Sequence, residues 1–266
     1  MNLAFIGGGM MGEAMIAGAI RNDVADPGGI AVCDIVAARR KLLSSQYKVK
    51  VSDKPAETVA GAGIVVLAVK PQEFASAAKQ LAGALTPGQT VMSIMAGVRI
   101  ETIASALGHS NVVRAIPNTP AQIGEGMTVW TATPSVKGPA KDEVRLLLGV
   151  LGKEIYVDSE KYMDMATAVS SSGPAYIFLV MEAMIDAAVH IGLRREMATP
   201  MVLQTLLGSA RYAQESGRHP SDLRNQVTSP GGTTTEGLLV LEAAGLRAAF
   251  IEAIQAAYEK AQQLGG

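Results

Sequence analysis

A single cysteine, Cys33, occurs in the 266 residues. An intrachain disulfide is therefore impossible. With only three scattered histidines, His109, His190 and His219, a metal site built by the protein is not expected. Aromatic residues make up 4% of the chain, too few for a surface that stacks on sugar rings or bases. Neither sign of charge dominates. Lys and Arg total 23 against 24 Asp and Glu, a formal net charge of -1, so nothing draws the chain to nucleic acid or an anionic membrane. No run of about 18 apolar residues is free of charges, so a membrane span is not expected. The N-terminus lacks a basic region and reaches Gly7 early, unlike a secretory signal. The resulting expectation is a soluble, cytoplasmic protein.

What the chain does contain is apolar material. Hydrophobic residues make up 48% and charged residues 18%, enough to bury a sizeable core, and the length allows two domains. Short apolar runs alternate with helical stretches up to residue 158. Strands are predicted at Asn2–Ile6, Gly29–Cys33, Ile64–Val69, Thr90–Ile94, Asn111–Ile116, Val129–Thr131 and Glu154–Val157. Ile64–Val69 is continuous and rich in β-branched residues, as befits a strand buried on both faces. Strands alternating with helices imply a parallel sheet with right-handed crossovers. After Val157 the pattern becomes purely helical: Tyr176–Ile191, Glu196–Ser216, Gly232–Ala244 and Leu246–Gln263. Tyr176–Ile191 is apolar on nearly every face except a stripe of Glu182, Asp186 and His190, which reads as a structural polar seam. The expected architecture is α/β: a dinucleotide-binding domain over 1–158 and an all-α domain over 159–266.

The first predicted strand runs into Gly7-Gly8-Gly9-Met10-Met11-Gly12, and a helix follows. In that setting Gly7 permits the tight turn, Gly9 lets the backbone approach a pyrophosphate, and Gly12 allows close packing of helix on strand. The helix start, with Met10 and Met11, directs amide N–H groups at the phosphates. Asp34 lies 22 residues beyond Gly12 at the end of the second predicted strand, where a carboxylate accepts hydrogen bonds from ribose hydroxyls. That favours NADH. Arg39 and Arg40 leave NADPH open, since either can reach toward a 2′-phosphate or lie on a solvated helix face. Ala68, Val69 and Lys70 end another strand and border the same crevice; Ala96 and Gly97 follow the next, where small residues leave room for the ribose or nicotinamide. Asn118, between Pro117 and Pro120, closes the set with a donor and an acceptor.

In the helical part, Ser229-Pro230-Gly231-Gly232-Thr233-Thr234 opens a helix, and free N–H groups with hydroxyls among them form an anion site or an ordinary cap. Six blocks in order now resemble the pyrroline-5-carboxylate reductase family over essentially the whole chain. They are Phe5–Gly9, Ala68–Pro71, Ala96–Val98, Asn118–Pro120, Ser172–Tyr176 and Ser229–Thr234. The resemblance implies reduction of Δ1-pyrroline-5-carboxylate to L-proline with NADPH or NADH. It also implies a Rossmann domain joined to an all-helical domain through which subunits dimerise, some members forming decamers. Catalysis is then expected in a cleft between the domains. Carried over, Ser229, Gly232, Thr233 and Thr234 hold the substrate carboxylate. Thr234 also lies near the ring nitrogen as the candidate catalytic hydroxyl, and Glu160 contacts substrate. Three departures bear on cofactor preference: Gln226 and Lys54-Pro55 stand where relatives carry asparagines, and Asp34 replaces a small or amide residue.

Two rival readings compete with this one. A β-hydroxyacid dehydrogenase has a lysine four residues after a glycine on the first long helix of its second domain; here Gly173 is followed at that spacing by Ile177. A non-catalytic NAD(P)-binding protein would bind cofactor without turnover.

Overall fold

The computed structural model describes residues 1–265. The chain divides into two compact units, one of Met1–Ser172 together with the chain from Ala257 onward, the other of Gly173–Ala256. In the first unit the elements run β1 (Leu3–Ile6), α1 (Met10–Arg21), β2 (Ile30–Cys33), α2 (Ala37–Tyr47), β3 (Lys50–Ser52), α3 (Pro55–Thr58), β4 (Ile64–Leu67), α4 (Phe74–Leu81), β5 (Thr90–Ser93), α5 (Ile100–Leu107), β6 (Val112–Pro117), β7 (Gly126–Ala132), α6 (Gly138–Gly149), β8 (Gly152–Tyr156) and α7 (Lys161–Ala166).

These strands form one sheet in the order β3-β2-β1-β4-β5-β6-β7-β8. Every residue of β1, β4, β5 and β6 is buried, because helices cover both faces. Alternation sorts the side chains. Leu3 and Phe5 join Met15 and Ile16 of α1, Leu43 of α2 and Leu147 of α6 on one face. Ala4 and Ile6 join Phe74 of α4 and Ile103 of α5 on the other.

The structure corrects the expectation of a wholly parallel sheet. β7 pairs antiparallel with β6, with Ala115 opposite Trp130. The connection from Pro117 to Gly126 is too short for a crossover, which needs about a dozen residues, so the chain turns back on itself. The crossover through α6 then restores parallel pairing of β7 with β8. β3 and α3 were not among the predicted elements; three residues of strand beside a turn of helix carry too little periodicity to read.

The second unit is helical: α8 (Gly173–His190), α9 (Arg195–Ser216), α10 (Pro220–Gln226), α11 (Thr233–Ala243) and the first half of α12 (Leu246–Gly265). α10 is a further element that sequence patterning missed. Asp186 of α8 pairs with Arg195 of α9 at 2.7 Å, and Glu242 of α11 pairs with Arg247 of α12 at 2.7 Å. In α9 only Ala198 and Val202 are buried, and α8 buries no residue. Large apolar side chains therefore stand exposed across this unit, among them Phe178, Leu179, Val240 and Ile251.

Candidate cofactor and substrate sites

Sheet order reverses between β1 and β4, and β2 lies on the other side of β1. That is the switch point beside which open α/β sheets bind ligands, outside the carboxyl ends of the strands. All the predicted cofactor residues lie just beyond strand ends in this unit: Gly7, Gly9, Met10, Met11 and Gly12 after β1, Asp34 after β2, Ala68, Val69 and Lys70 after β4, Ala96 and Gly97 after β5, and Asn118 after β6.

The glycine turn has the local geometry the motif demands. Gly7 has φ +101, and a Cβ there would lie 2.5 Å from the Ala68 carbonyl oxygen. A Cβ on Gly12 would lie 2.8 Å from the Gly7 carbonyl oxygen, so helix and strand approach as only glycine allows. Nothing lies within 4 Å of a Cβ placed on Gly9, which leaves its backbone open to a ligand. The first bond of α1 runs from the Glu13 amide to the Gly9 carbonyl at 2.8 Å. The amides of Met10, Met11 and Gly12 consequently have no carbonyl within the helix and stay available to a pyrophosphate. An open glycine backbone beside three free amides fits a dinucleotide.

Asp34 and the two arginines occupy defined positions around this turn. Asp34 Oδ2 accepts the Gly8 amide at 2.9 Å, and Oδ1 accepts the Val36 amide at 2.8 Å. Arg39 donates from Nε to the Gly8 carbonyl, from Nη2 to the Gly9 carbonyl at 3.3 Å, and pairs with Glu13. Arg40 donates to the carbonyls of Asp34 at 2.7 Å and Ile35 at 3.2 Å, and pairs with Asp53 at 3.6 Å. The two arginines are thus built into the loop; neither lies on a merely solvated face. Nearby, burial pushes the Tyr47 phenol above its usual range, reinforced by its hydrogen bond to Glu13. Burial likewise raises the Cys33 thiol, aided by the carboxylates of Asp34 and Asp53.

Asn118 braces the fold. Its Oδ1 accepts the Met127 amide at 2.9 Å, and its Nδ2 donates to the Ser170 carbonyl at 3.2 Å. Glu160 also has a structural partner set. Its Oε1 accepts the Ile100 amide at 2.9 Å and the Arg114 Nη1 at 2.8 Å. Arg114 went unread in the sequence, although a lone cation inside the buried-strand run Asn111–Ile116 is itself a signal that it must be paired.

In the second unit, the Ser229–Thr234 segment leads into α11 with Gly232 as its N-cap. The Gly232 amide is taken by the Ser229 carbonyl at 3.0 Å, and the first helical bond runs from the Glu236 amide to the Gly232 carbonyl at 3.3 Å. That leaves the amides of Thr233, Thr234 and Thr235 without a helical acceptor, beside the Thr233 and Thr234 hydroxyls. The Thr235 hydroxyl closes the loop onto the Ser229 carbonyl at 2.6 Å.

Comparison with known proteins agrees with both halves. A family described as pyrroline-5-carboxylate reductase dimerisation matches residues 160–264, and one described as NADP oxidoreductase, coenzyme F420-dependent, matches residues 2–97. A pyrroline-5-carboxylate reductase of Synechocystis is 40% identical over 100% of this chain and 98% of its own. The chain belongs to the pyrroline-5-carboxylate reductase family. The corresponding reductase of Escherichia coli is 37% identical, over 98% of this chain and 97% of its own. Among solved structures, a pyrroline-5-carboxylate reductase from Coxiella burnetii aligns with a TM-score of 0.93 at 37% identity, covering 100% of this chain and 98% of that one. The Plasmodium falciparum pyrroline carboxylate reductase, solved with NADP bound, aligns with a TM-score of 0.90 at 30% identity, covering 100% and 98%. The resemblance read from six short blocks therefore extends over the whole chain, as does the expected pairing of a Rossmann domain with a helical dimerisation domain.

Proposed function

We propose that this chain reduces Δ1-pyrroline-5-carboxylate to L-proline with a reduced nicotinamide dinucleotide. The observation that carries the reading is the pair of open helix starts in one chain: Met10–Gly12 behind the glycine turn for a pyrophosphate, and Thr233–Thr235 for a carboxylate. Functionally the chain divides at 158/159 into a cofactor-binding part and a part that holds substrate and self-associates.

The substrate is small, and its carboxylate is its main handle. The free amides at the start of α11 match an anion in charge and direction, and the Thr233 and Thr234 hydroxyls add donors. A dihydronicotinamide dinucleotide held at the glycine turn by the Met10–Gly12 amides would supply the hydride. C5 of the cyclic imine accepts it, the C=N π pair moves onto nitrogen, and nitrogen carries one proton to become the secondary amine. The Thr234 hydroxyl hydrogen-bonds that nitrogen and relays the proton from water. An iminium is strongly electrophilic, so holding C5 about 3–3.5 Å from the donor carbon is the larger part of the work. Glu160 reaches the substrate with the oxygen that Arg114 and Ile100 leave unused.

The exposed apolar faces of the second unit are covered by a second copy of the chain. Among the described residues, one helical run, Lys161–His190 from α7 through α8, is long and apolar enough to cross a membrane by length and composition. It lies within the segment matched by the dimerisation family, and a homodimer contact accounts for its apolar surface. Further assembly of dimers to a decamer belongs to the same reading.

The test is turnover. Purified protein mixed with pyrroline-5-carboxylate and NADH or NADPH should consume the cofactor and form L-proline in equal amounts. No consumption with either cofactor overturns the reading in favour of a protein that binds dinucleotide without reducing this substrate.

A further inference from the structure

We infer that this chain selects NADH over NADPH, with Asp34 as the residue that decides; the inference rests on the reductase reading for the identity of the cofactor. The charges around the end of β2 are already engaged within the protein. Asp34 is held by two amides, Gly8 at 2.9 Å and Val36 at 2.8 Å, so its carboxylate is fixed beside the glycine turn. A carboxylate has about four lone-pair directions, so two remain for the hydroxyls of an adenosine ribose. A 2′-phosphate at the same place would set a group of charge about -2 against that fixed anion.

Two arginines are near enough in sequence to offset such a clash, and the structure shows both engaged elsewhere. Arg39 is bound to the carbonyls of Gly8 and Gly9 and to Glu13, holding the glycine turn from behind. Arg40 caps the carbonyls of Asp34 and Ile35 and pairs with Asp53. Lys54 is paired with Glu57 at 2.8 Å. Moving Arg39 to a phosphate would leave the half-buried Glu13 without its partner, and moving Arg40 would give up the carbonyls of Asp34 and Ile35. The two residues after Asp34, Ile35 and Val36, are 78% and 53% exposed and have apolar side chains with no donor to offer. The side chains that follow β2 are thus one fixed anion and then hydrocarbon, with the Arg40 guanidinium turned onto the backbone carbonyls of Asp34 and Ile35.

The experiment is direct titration of the full-length protein with NADH and with NADPH, without substrate, followed by calorimetry. Wild type should bind NADH at least about tenfold more tightly, a difference of about 1.4 kcal/mol. Asp34→Asn should weaken NADH and narrow the gap. Because that variant alters a carboxylate that holds the loop, Ile35→Arg serves as an independent one: it adds a guanidinium at an exposed position with no partner to lose, and should tighten NADPH. Equal or tighter binding of NADPH by wild type overturns the inference and leaves the reductase reading standing. Tighter NADH binding without turnover of pyrroline-5-carboxylate upholds the preference and overturns the reductase reading. Absence of binding to both dinucleotides overturns both.

Discussion

Arg114, in the middle of β6, donates to Glu160 at 2.8 Å, and the same Glu160 oxygen accepts the first amide of α5 at Ile100. The guanidinium side chain is 1% exposed, and its second carboxylate, Asp164, lies at 3.4 Å. One acidic residue just ahead of α7 thereby neutralises a buried cation and accepts the first amide of α5.

Removing Glu160 should therefore be costly. Glu160→Ala is expected to lower stability by about 2–3 kcal/mol, because it leaves Arg114 with only its longer partner and the Ile100 amide with none. Glu160→Gln keeps the acceptor and should cost less. Urea unfolding of both variants checks this; a loss below about 0.5 kcal/mol for Glu160→Ala would mean the pair behaves like a surface ion pair.

Gly7 and Gly9 should separate fold from binding. Gly7→Ala forces a side chain onto the Ala68 carbonyl at positive φ and should destabilise the protein by about 2 kcal/mol or more. Gly9→Ala meets nothing in the protein, so its thermal midpoint should stay near wild type while dinucleotide affinity falls by about tenfold or more. Unchanged affinity in Gly9→Ala would show that the pyrophosphate does not approach there.

Thr234→Ala tests the proton relay. A loss of about 10–100-fold in kcat/KM with an unchanged melting temperature is expected, the scale of one positioned hydrogen bond. Thr235→Val should act differently, since the Thr235 hydroxyl closes the loop onto Ser229. There the expected signature is a raised KM, from a loosened carboxylate site. Wild-type kinetics in Thr234→Ala would remove that hydroxyl from the mechanism.

Cys33 should be silent toward thiol reagents in the native protein and react once on denaturation, since burial both shields it and holds its thiol above the usual range. The sign of the pH effect follows. The folded state keeps this proton to higher pH than the unfolded state does. The associated stability is fully present below the ordinary thiol value and is lost as pH rises through the higher folded value. Tyr47 contributes in the same direction at higher pH. Urea midpoints should fall on the alkaline side, less steeply in Cys33→Ala; identical slopes would show that the thiol does not contribute.

Charge placed on the apolar face of α8 should split the assembly. Phe178 and Leu179 are 57% and 65% exposed in the single chain. Leu179→Arg is expected to shift the protein toward monomer in sedimentation, while a wild-type profile would exclude this face from the contact.

Local pattern was enough to read the strands β1, β2 and β4 to β6, the glycine turn, the four long helices and the family. Each depends on residues close in sequence: continuous apolar runs, a glycine where φ is positive, a hydroxyl- and glycine-rich helix start. The antiparallel β7 followed from the length of one connection, and that length was present in the sequence but not used. Other features depended on residues far apart in the chain. Arg39 and Arg40 read as free cations until the fold brought Gly8, Glu13 and Asp53 against them. Glu160 read only as a substrate contact; its bonds to Arg114 and the Ile100 amide came into view when the fold set β6 and α5 beside it. A charged side chain has no fixed meaning in one dimension, because its partner is chosen by packing. The amino-acid order named the cofactor class and the reaction; where Arg39 and Arg40 come to rest around Asp34 was decided by the fold, because Gly8, Glu13 and Asp53 are brought to them from elsewhere in the chain.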